Sequence, residues 1–168
     1  DLGTGTGAIA LALASEMPNW QVEAVDFNPD AVKLAQKNAE QLGLSRVNIY
    51  LSCWFEQVDN KPLFDIIVSN PPYIDPEDKH LSEGDVRFEP KSALVAEDKG
   101  LADIRHIADK AISYLNNRGS LFFEHGYEQG VEVRTILTEL GYVDAQTITD
   151  LSGNDRITWA YWLADNNK

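Results

Sequence analysis

The sequence predicts an α/β protein built on a doubly wound, mostly parallel sheet of seven strands, with an antiparallel last strand. Three observations carry that prediction. Apolar runs of strand length alternate with segments of helical period, the pattern of parallel strands joined by right-handed crossovers with helices on both faces. Gly3, Gly5 and Gly7 form a turn that opens straight into an Ala/Leu-rich helix. The apolar run at residues 63–69 ends in Asn70-Pro71-Pro72-Tyr73, which sets an amide and an aromatic ring at the carboxyl edge of a sheet, where open α/β sheets bind ligands.

The glycine turn comes first in the chain. Its glycines let the backbone adopt positive φ and approach a ligand closely, and the helix at residues 8–16 offers free N–H groups. Because that helix is apolar almost all round, it predicts a buried helix. The spacing is G-x-G-x-G preceded by an acid, whereas a dinucleotide loop needs G-x-G-x-x-G, so NAD is not favoured.

Residues 20–26 alternate as a strand ending in Asp26. Asn28 then caps a helix with Pro29 at its first position, and Ala31, Leu34, Ala35 and Leu42 recur at helical spacing until Gly43. Asp26 lies 26 − 7 = 19 positions beyond Gly7, close to the offset of roughly 20 at which an acid holds ribose hydroxyls. A lone Asp there equally caps the turn at Asn28-Pro29; with the glycine loop, the ribose role is favoured.

Residues 47–51 predict a short strand, with Ser52-Cys53-Trp54-Phe55 just past its end. A ring at that edge either covers an adenine or fills the core. The strand at 63–69 follows, then a long polar stretch, 74–99, with Pro76, Gly84 and Pro90, suited to a lid or substrate wall. A helix runs from Gly100 to about Leu115 with Ile104, Ile107, Ala108, Ala111 and Leu115 on one face. Residues 118–124 predict a strand, 127–140 a helix ended by Gly141, and 142–148 a strand. Residues 156–162 predict a last strand returning as a hairpin across 150–155. A first strand is expected before Asp1, with the glycine loop following it.

The 168 residues, 43% of them apolar, suit one domain with a sizeable core. No apolar run has the length of a membrane span. One cysteine, Cys53, excludes an internal disulfide framework, and His80, His106 and His125 are too scattered for a zinc pattern, so no metal is expected and a cytoplasmic setting fits. A net charge of −13 with no basic tract disfavours nucleic acid and suits a basic protein partner.

The tetrapeptide suggests its own chemistry. Pro71 and Pro72 lack N–H groups and hold φ nearly fixed, so their carbonyls face outward as acceptors beside the Asn70 side-chain oxygen. Two oxygens converging on one point suit a planar –NH2, and Tyr73 offers a face for it to lie on. Read alone, the four residues also fit a simple strand-ending turn.

With the D-x-G-T-G-T-G loop, the acid ending the next strand, and Asn70-Pro71-Pro72-Tyr73, the chain resembles class I, Rossmann-like S-adenosylmethionine-dependent methyltransferases of the amino-methylating group. Gly84-Asp85-Val86-Arg87-Phe88-Glu89-Pro90, Ala93-Leu94, Gly100-Leu101 and Glu124-His125-Gly126 bring it closer to the bacterial release-factor glutamine methyltransferases, HemK-like proteins, over essentially the whole chain. The resemblance implies N5-methylation of the glutamine in the Gly-Gly-Gln motif of peptide chain release factors, with S-adenosyl-L-methionine converted to S-adenosyl-L-homocysteine. It also implies that residues 1–168 are a catalytic domain, without the N-terminal helical substrate-binding domain of the family; a monomer is expected.

Carried over by position, Gly3, Thr4, Gly5, Thr6 and Gly7 would line the methionine part of the cofactor, Asp26 the ribose and Trp54 the adenine. Asn70 would touch cofactor and glutamine, with Pro71, Pro72 and Tyr73 completing the catalytic and substrate site. Relatives often carry Asp before the aromatic, where this chain has Cys53, which is left out of the site. The reaction needs alignment and polarisation rather than a metal or a dedicated general base. Other substrates fit the same tetrapeptide: a glutamine of a ribosomal large-subunit protein, or the amino group of a DNA or RNA base. A silent S-adenosylmethionine-binding module is the non-enzyme reading.

Overall fold

A computed structural model describes residues 1–72 and 100–164 of the chain. The chain divides into two compact units, Asp1–Asn60 and Lys61–Lys168.

The first unit runs from the glycine turn into α1 (Ala8–Glu16), β1 (Glu23–Asp26), α2 (Pro29–Gln41) and β2 (Asn48–Leu51). The strands pair in parallel, Glu23 opposite Asn48 through Asp26 opposite Leu51. On the other edge of β1, Leu2 bridges Val25 in parallel, with the Thr4 N–H donating to the Val25 carbonyl and the Val25 N–H to the Asp1 carbonyl, both at 2.9 Å. This parallel edge leads straight into the glycine turn. The core joins Ala10, Leu11 and Ala14 of α1 to Ala24, Ile49 and Val32, Ala35 and Ala39 of α2. Small side chains on both helices let the backbones come close to the sheet.

Several expectations are corrected in this unit. The strand expected from residue 20 starts at Glu23, and Trp20 is exposed. Although α1 is apolar nearly all round, Ala8 and Ala12 are exposed and only Ala10, Leu11 and Ala14 are buried. The buried stripe of α2 is Val32, Ala35 and Ala39, while Leu34 and Leu42 face solvent. Sequence period fixes the helix, but its rotational phase is set by which face fits the sheet. Asn28 caps α2 as expected, its side chain accepting from the Asp30 N–H at 2.9 Å.

The second unit holds β3 (Phe64–Ser69), α3 (Ala102–Ala111), β4 (Leu115–Glu124), α4 (Gly130–Glu139), β5 (Val143–Thr149) and β6 (Asp155–Tyr161). The strand order is β3-β4-β6-β5. β3 and β4 are parallel, and β6 lies antiparallel to both neighbours, the expected returning hairpin. α3 packs on β4, and α4 on β5 and β6. Ile104, Ile107, Ala108 and Ala111 are buried as the period predicts. Leu115 fits that period too, yet the helix stops at Ala111 and Leu115 begins β4, three residues earlier than the strand expected at 118.

Burial in β3 and β4 alternates strictly near their carboxyl ends. Ile67, Ser69 and Pro71 are buried on one face, as are Leu121, Phe123 and His125, whereas Val68, Phe122 and Glu124 are half-buried and Asn70 is exposed on the other. Segment 74–99, with the motif residues 84–90 and 93–94, lies outside the described residues except that Tyr73 joins it there.

Candidate functional site

The expected site residues fall in both units, Gly3 to Gly7, Asp26 and Trp54 in the first and Asn70 to Pro72 in the second.

In the first unit the turn is held from beneath. The Asp1 Oδ2 accepts from the Thr4 hydroxyl at 2.6 Å and from the Ala10 N–H at 3.2 Å, fixing the start of the loop to the first turn of α1. The Thr4 side chain is therefore buried and committed to the scaffold. Gly7 stands at φ +85, where a Cβ would lie 3.1 Å from Leu11 Cδ1 and 3.2 Å from Ala35 Cβ. A side chain has no room between α1 and α2.

Asp26, buried at the end of β1, uses both carboxylate oxygens on backbone. Oδ2 accepts from the Gly5 N–H and Oδ1 from the Asn28 N–H, each at 2.8 Å. The capping role foreseen for a lone Asp is thus present, and the same carboxylate also ties the glycine turn to the strand. Each oxygen keeps a further lone pair for a donor such as a hydroxyl.

Trp54 sits just beyond β2 with a positive φ of 47, a conformation bulky residues seldom adopt. It is half-buried and its ring lies against Gly3, where a Cβ would stand 3.3 Å from Cζ3. Phe55, by contrast, is buried in the core. The Ser52 hydroxyl holds the turn: it donates to the Trp54 carbonyl at 2.8 Å and accepts from the Gln57 N–H at 3.0 Å. The Ser52 N–H donates to the Asp26 carbonyl at 3.0 Å. Sequence reading missed Ser52, and its only sequence signal is a small hydroxyl immediately after a strand.

These residues fit a nucleoside with a charged tail. A Cβ on Gly5 would meet nothing within 4 Å, so the middle of the turn is open. Among the described residues Asp1 Oδ1 is buried with no hydrogen-bond partner, an acceptor that could receive a donor.

In the second unit, Asn70 follows directly on β3 and is exposed, Pro71 is buried and Pro72 half-buried. Tyr73 lies outside the described residues. Beside this edge, β4 delivers Glu124, His125 and Gly126. His125 is fully buried, with Nδ1 2.8 Å from the Gly126 carbonyl and Nε2 2.8 Å from the Thr158 hydroxyl. A carbonyl can only accept, so Nδ1 carries the proton and Nε2 accepts from Thr158. Thr158 in turn accepts from Thr147 at 2.7 Å, and Thr147 from Arg134. Every member of this chain has one direction available to it. Burial, first, and the Arg156 and Arg134 charges hold the imidazole below its ordinary pKa, against the opposing pull of Gly126 and Asp155. The sequence carried Glu124-His125-Gly126 only as part of a resemblance, because Thr147 and Thr158 are distant in the chain.

Among the described residues, no group of three or more His, Cys, Asp or Glu side chains is placed to hold a metal ion, and no helix is long and apolar enough to cross a membrane.

A glycine turn between a parallel strand and a helix, followed by an acid at the end of the next strand, defines an α/β domain of the methyltransferase type. The chain matches the family described as "Methyltransferase small domain" over residues 1–87, more than half its length, and belongs to that family. Solved structures share the fold. A methyltransferase from Pyrococcus furiosus gives a TM-score of 0.72 at 19% identity over 97% of this chain and 74% of that one. The T. thermophilus 16S rRNA N2 G1207 methyltransferase, solved with AdoMet and guanosine, gives 0.67 at 23% identity over 96% of this chain and 36% of that one.

Relatives are much closer in sequence. The release factor glutamine methyltransferase of Salmonella typhimurium is 57% identical over 94% of this chain and 57% of its own length. The proteins of the same name from Vibrio cholerae and Escherichia coli K12 are 56% and 52% identical over 94% of this chain, and it covers 55% and 57% of them. The chain thus spans a little over half the length of the curated relatives it matches.

Proposed function

We propose that this chain is the catalytic part of a protein-(glutamine-N5) methyltransferase that acts on the Gly-Gly-Gln glutamine of peptide chain release factors, with S-adenosyl-L-methionine as methyl donor. The observation that carries the reading is the 57% identity, over 94% of the chain, to a protein named for that activity.

The bound cofactor would supply a methyl group already activated on a sulfonium. The chain's residues then bind, orient and polarise. Gly3 to Gly7 would cradle the amino-acid end of the cofactor, the open space at Gly5 letting it approach the backbone closely. The remaining lone pairs of Asp26 accept from ribose hydroxyls, and the half-buried Trp54 ring lies by the adenine.

An amide nitrogen is a weak nucleophile because its lone pair is shared with the carbonyl. As it reacts it gains positive charge and its N–H groups become stronger donors. Acceptors on Asn70 and at the Pro71 carbonyl therefore bind the transition state better than the ground state. Pro71, Pro72 and Tyr73 complete the acceptor side by shape and stacking.

The test incubates the full-length protein with labelled S-adenosylmethionine and purified release factor, beside a release factor whose Gly-Gly-Gln glutamine is changed, and locates the label by mass spectrometry. Label on that glutamine, absent from the changed factor, is the expected result. Label on ribosomal protein or nucleic acid instead would keep the class and overturn the substrate.

A further inference from the structure

The buried face of the β3–β4 pair places a histidine beside the acceptor motif. Val68 pairs with Phe122 and Ser69 with Phe123. One residue further along this register, Asn70 comes level with Glu124 on the less buried face, next to the stacked rings of Phe122 and Trp159. Two residues further, Pro71 comes level with His125, and both side chains are fully buried on the inward face. Adjacent strands run about 4.8 Å apart, so the pyrrolidine and imidazole rings start as immediate neighbours.

His125 is held at every polar atom. On the side away from β3, its N–H donates to the Arg156 carbonyl at 3.0 Å and its carbonyl accepts from Arg156 Nη1 at 3.1 Å. The Nδ1–H donates to the Gly126 carbonyl, and Nε2 accepts from the Thr158 hydroxyl, each at 2.8 Å. Thr158, fully buried on β6, accepts in turn from Thr147 of β5, and Thr147 from Arg134 of α4. Nε2 accepts only while the ring is neutral. Burial, first, with the Arg156 and Arg134 charges, favours that form over the opposing pull of Gly126 and Asp155. A ring bonded at both nitrogens cannot turn without leaving a buried group unpaired.

We propose that His125 is a positioning residue for methyl transfer, its imidazole forming the wall against which the Pro71 ring is seated and so fixing where the Pro71 carbonyl points. This rests on the reading above that the Pro71 carbonyl accepts from the substrate amide. Proline has its φ set by the ring, so once the ring is seated a single torsion directs the carbonyl. An apolar ring in the place of His125 would fill the volume yet could slide. The bonds to Gly126 and Thr158 hold the imidazole to β4 and β6, and a displacement of about 1 Å at a reacting group can cost on the order of 100-fold in rate.

The experiment uses the full-length protein as wild type, Thr158→Val, Thr158→Ser and His125→Asn. It measures kcat and KM for release factor at saturating S-adenosylmethionine, affinity for S-adenosylhomocysteine by calorimetry, and the folded fraction by circular dichroism. Thr158→Val keeps the side-chain shape and removes the donor to Nε2; kcat should fall about 10-fold, and for His125→Asn about 10- to 100-fold. KM and cofactor affinity should stay within about threefold in both. Thr158→Ser returns the hydroxyl and should bring kcat back to within about threefold of wild type. A merely structural role would lower the folded fraction and leave kcat per folded molecule unchanged. That result, with wild type active, would overturn the role of His125 and leave the proposed function standing, as would equal losses of kcat and cofactor affinity. No transfer to release factor by wild type would remove the functional reading and this inference with it. Should His125→Asn fail to fold, the contrast of Thr158→Val with Thr158→Ser decides.

Discussion

The glycine turn of the first unit and the β3 edge of the second solve opposite problems. Around the turn the polar side chains are tied within the protein, mostly to backbone: Asp1 to the Thr4 hydroxyl and the Ala10 N–H, Asp26 to Gly5 and Asn28, Ser52 to Trp54 and Gln57. At the β3 edge Asn70 is exposed and next to a second polar side chain, over a face whose rings supply the support. A surface that must fit one fixed ligand can be preorganised by internal bonds. A surface that must grip a reacting group keeps its side-chain acceptors for that group. Rigidity is invested in the first unit and hydrogen-bonding capacity in the second.

The largest break in this comparison comes from Gly7→Ala. The left-handed backbone costs about 1–2 kcal/mol for a residue with a Cβ, and crowding against Leu11 and Ala35 adds roughly 1–3 kcal/mol. Urea unfolding should show a loss of about 2–5 kcal/mol, with cofactor affinity falling alongside. A change within about 0.5 kcal/mol would mean that the turn is less constrained than its contacts indicate.

Asp26→Asn is a smaller and more local break. The amide keeps one acceptor oxygen but turns an N–H2 toward a backbone N–H that has lost its partner, at a cost of about 1–3 kcal/mol. Calorimetry should show cofactor affinity reduced about 10- to 100-fold, equivalent to roughly 1.4–2.7 kcal/mol, while release-factor affinity is unchanged. Loss of both affinities together would dissolve the division between the two regions.

The smallest effect sharpens the comparison on the second unit's side. His125 has its folded pKa below the unfolded value of about 6.5. The stability it contributes is complete above that pH and is lost as pH falls, because the unfolded chain takes up a proton that the folded one refuses. Urea unfolding between pH 7.5 and 5 should therefore show stability falling by no more than about 1.4 kcal/mol per pH unit from this group. His125→Asn should flatten that component. An unchanged slope in the variant would assign the pH dependence elsewhere.

Element types were legible in the sequence because period is local: each helix and strand among the described residues lies where alternation or helical spacing put it. Faces and ends were not. Leu34 and Leu42 shared the period of α2 with Val32 and Ala39, and only the packing on β1 and β2 decided which stripe went inward. Leu115 continued the spacing of α3 yet belongs to β4. At the site, the glycine turn and Asn70 were readable because their residue types are chemically unusual in those positions. Ser52, the double use of Asp26 and the Thr147–Thr158–His125 chain depend on partners brought together by folding. No short window of sequence contains them.

The most direct test of this account measures cofactor affinity and turnover together in the full-length protein carrying Asn70→Ala. With the acceptor grip removed and the preorganised turn intact, turnover on release factor should fall about 100- to 1,000-fold, as it does when a transition-state hydrogen-bond partner is lost. Affinity for S-adenosylhomocysteine should stay within about threefold, less than 1 kcal/mol. Equal loss of turnover and cofactor affinity would contradict the separation of roles on which the account rests.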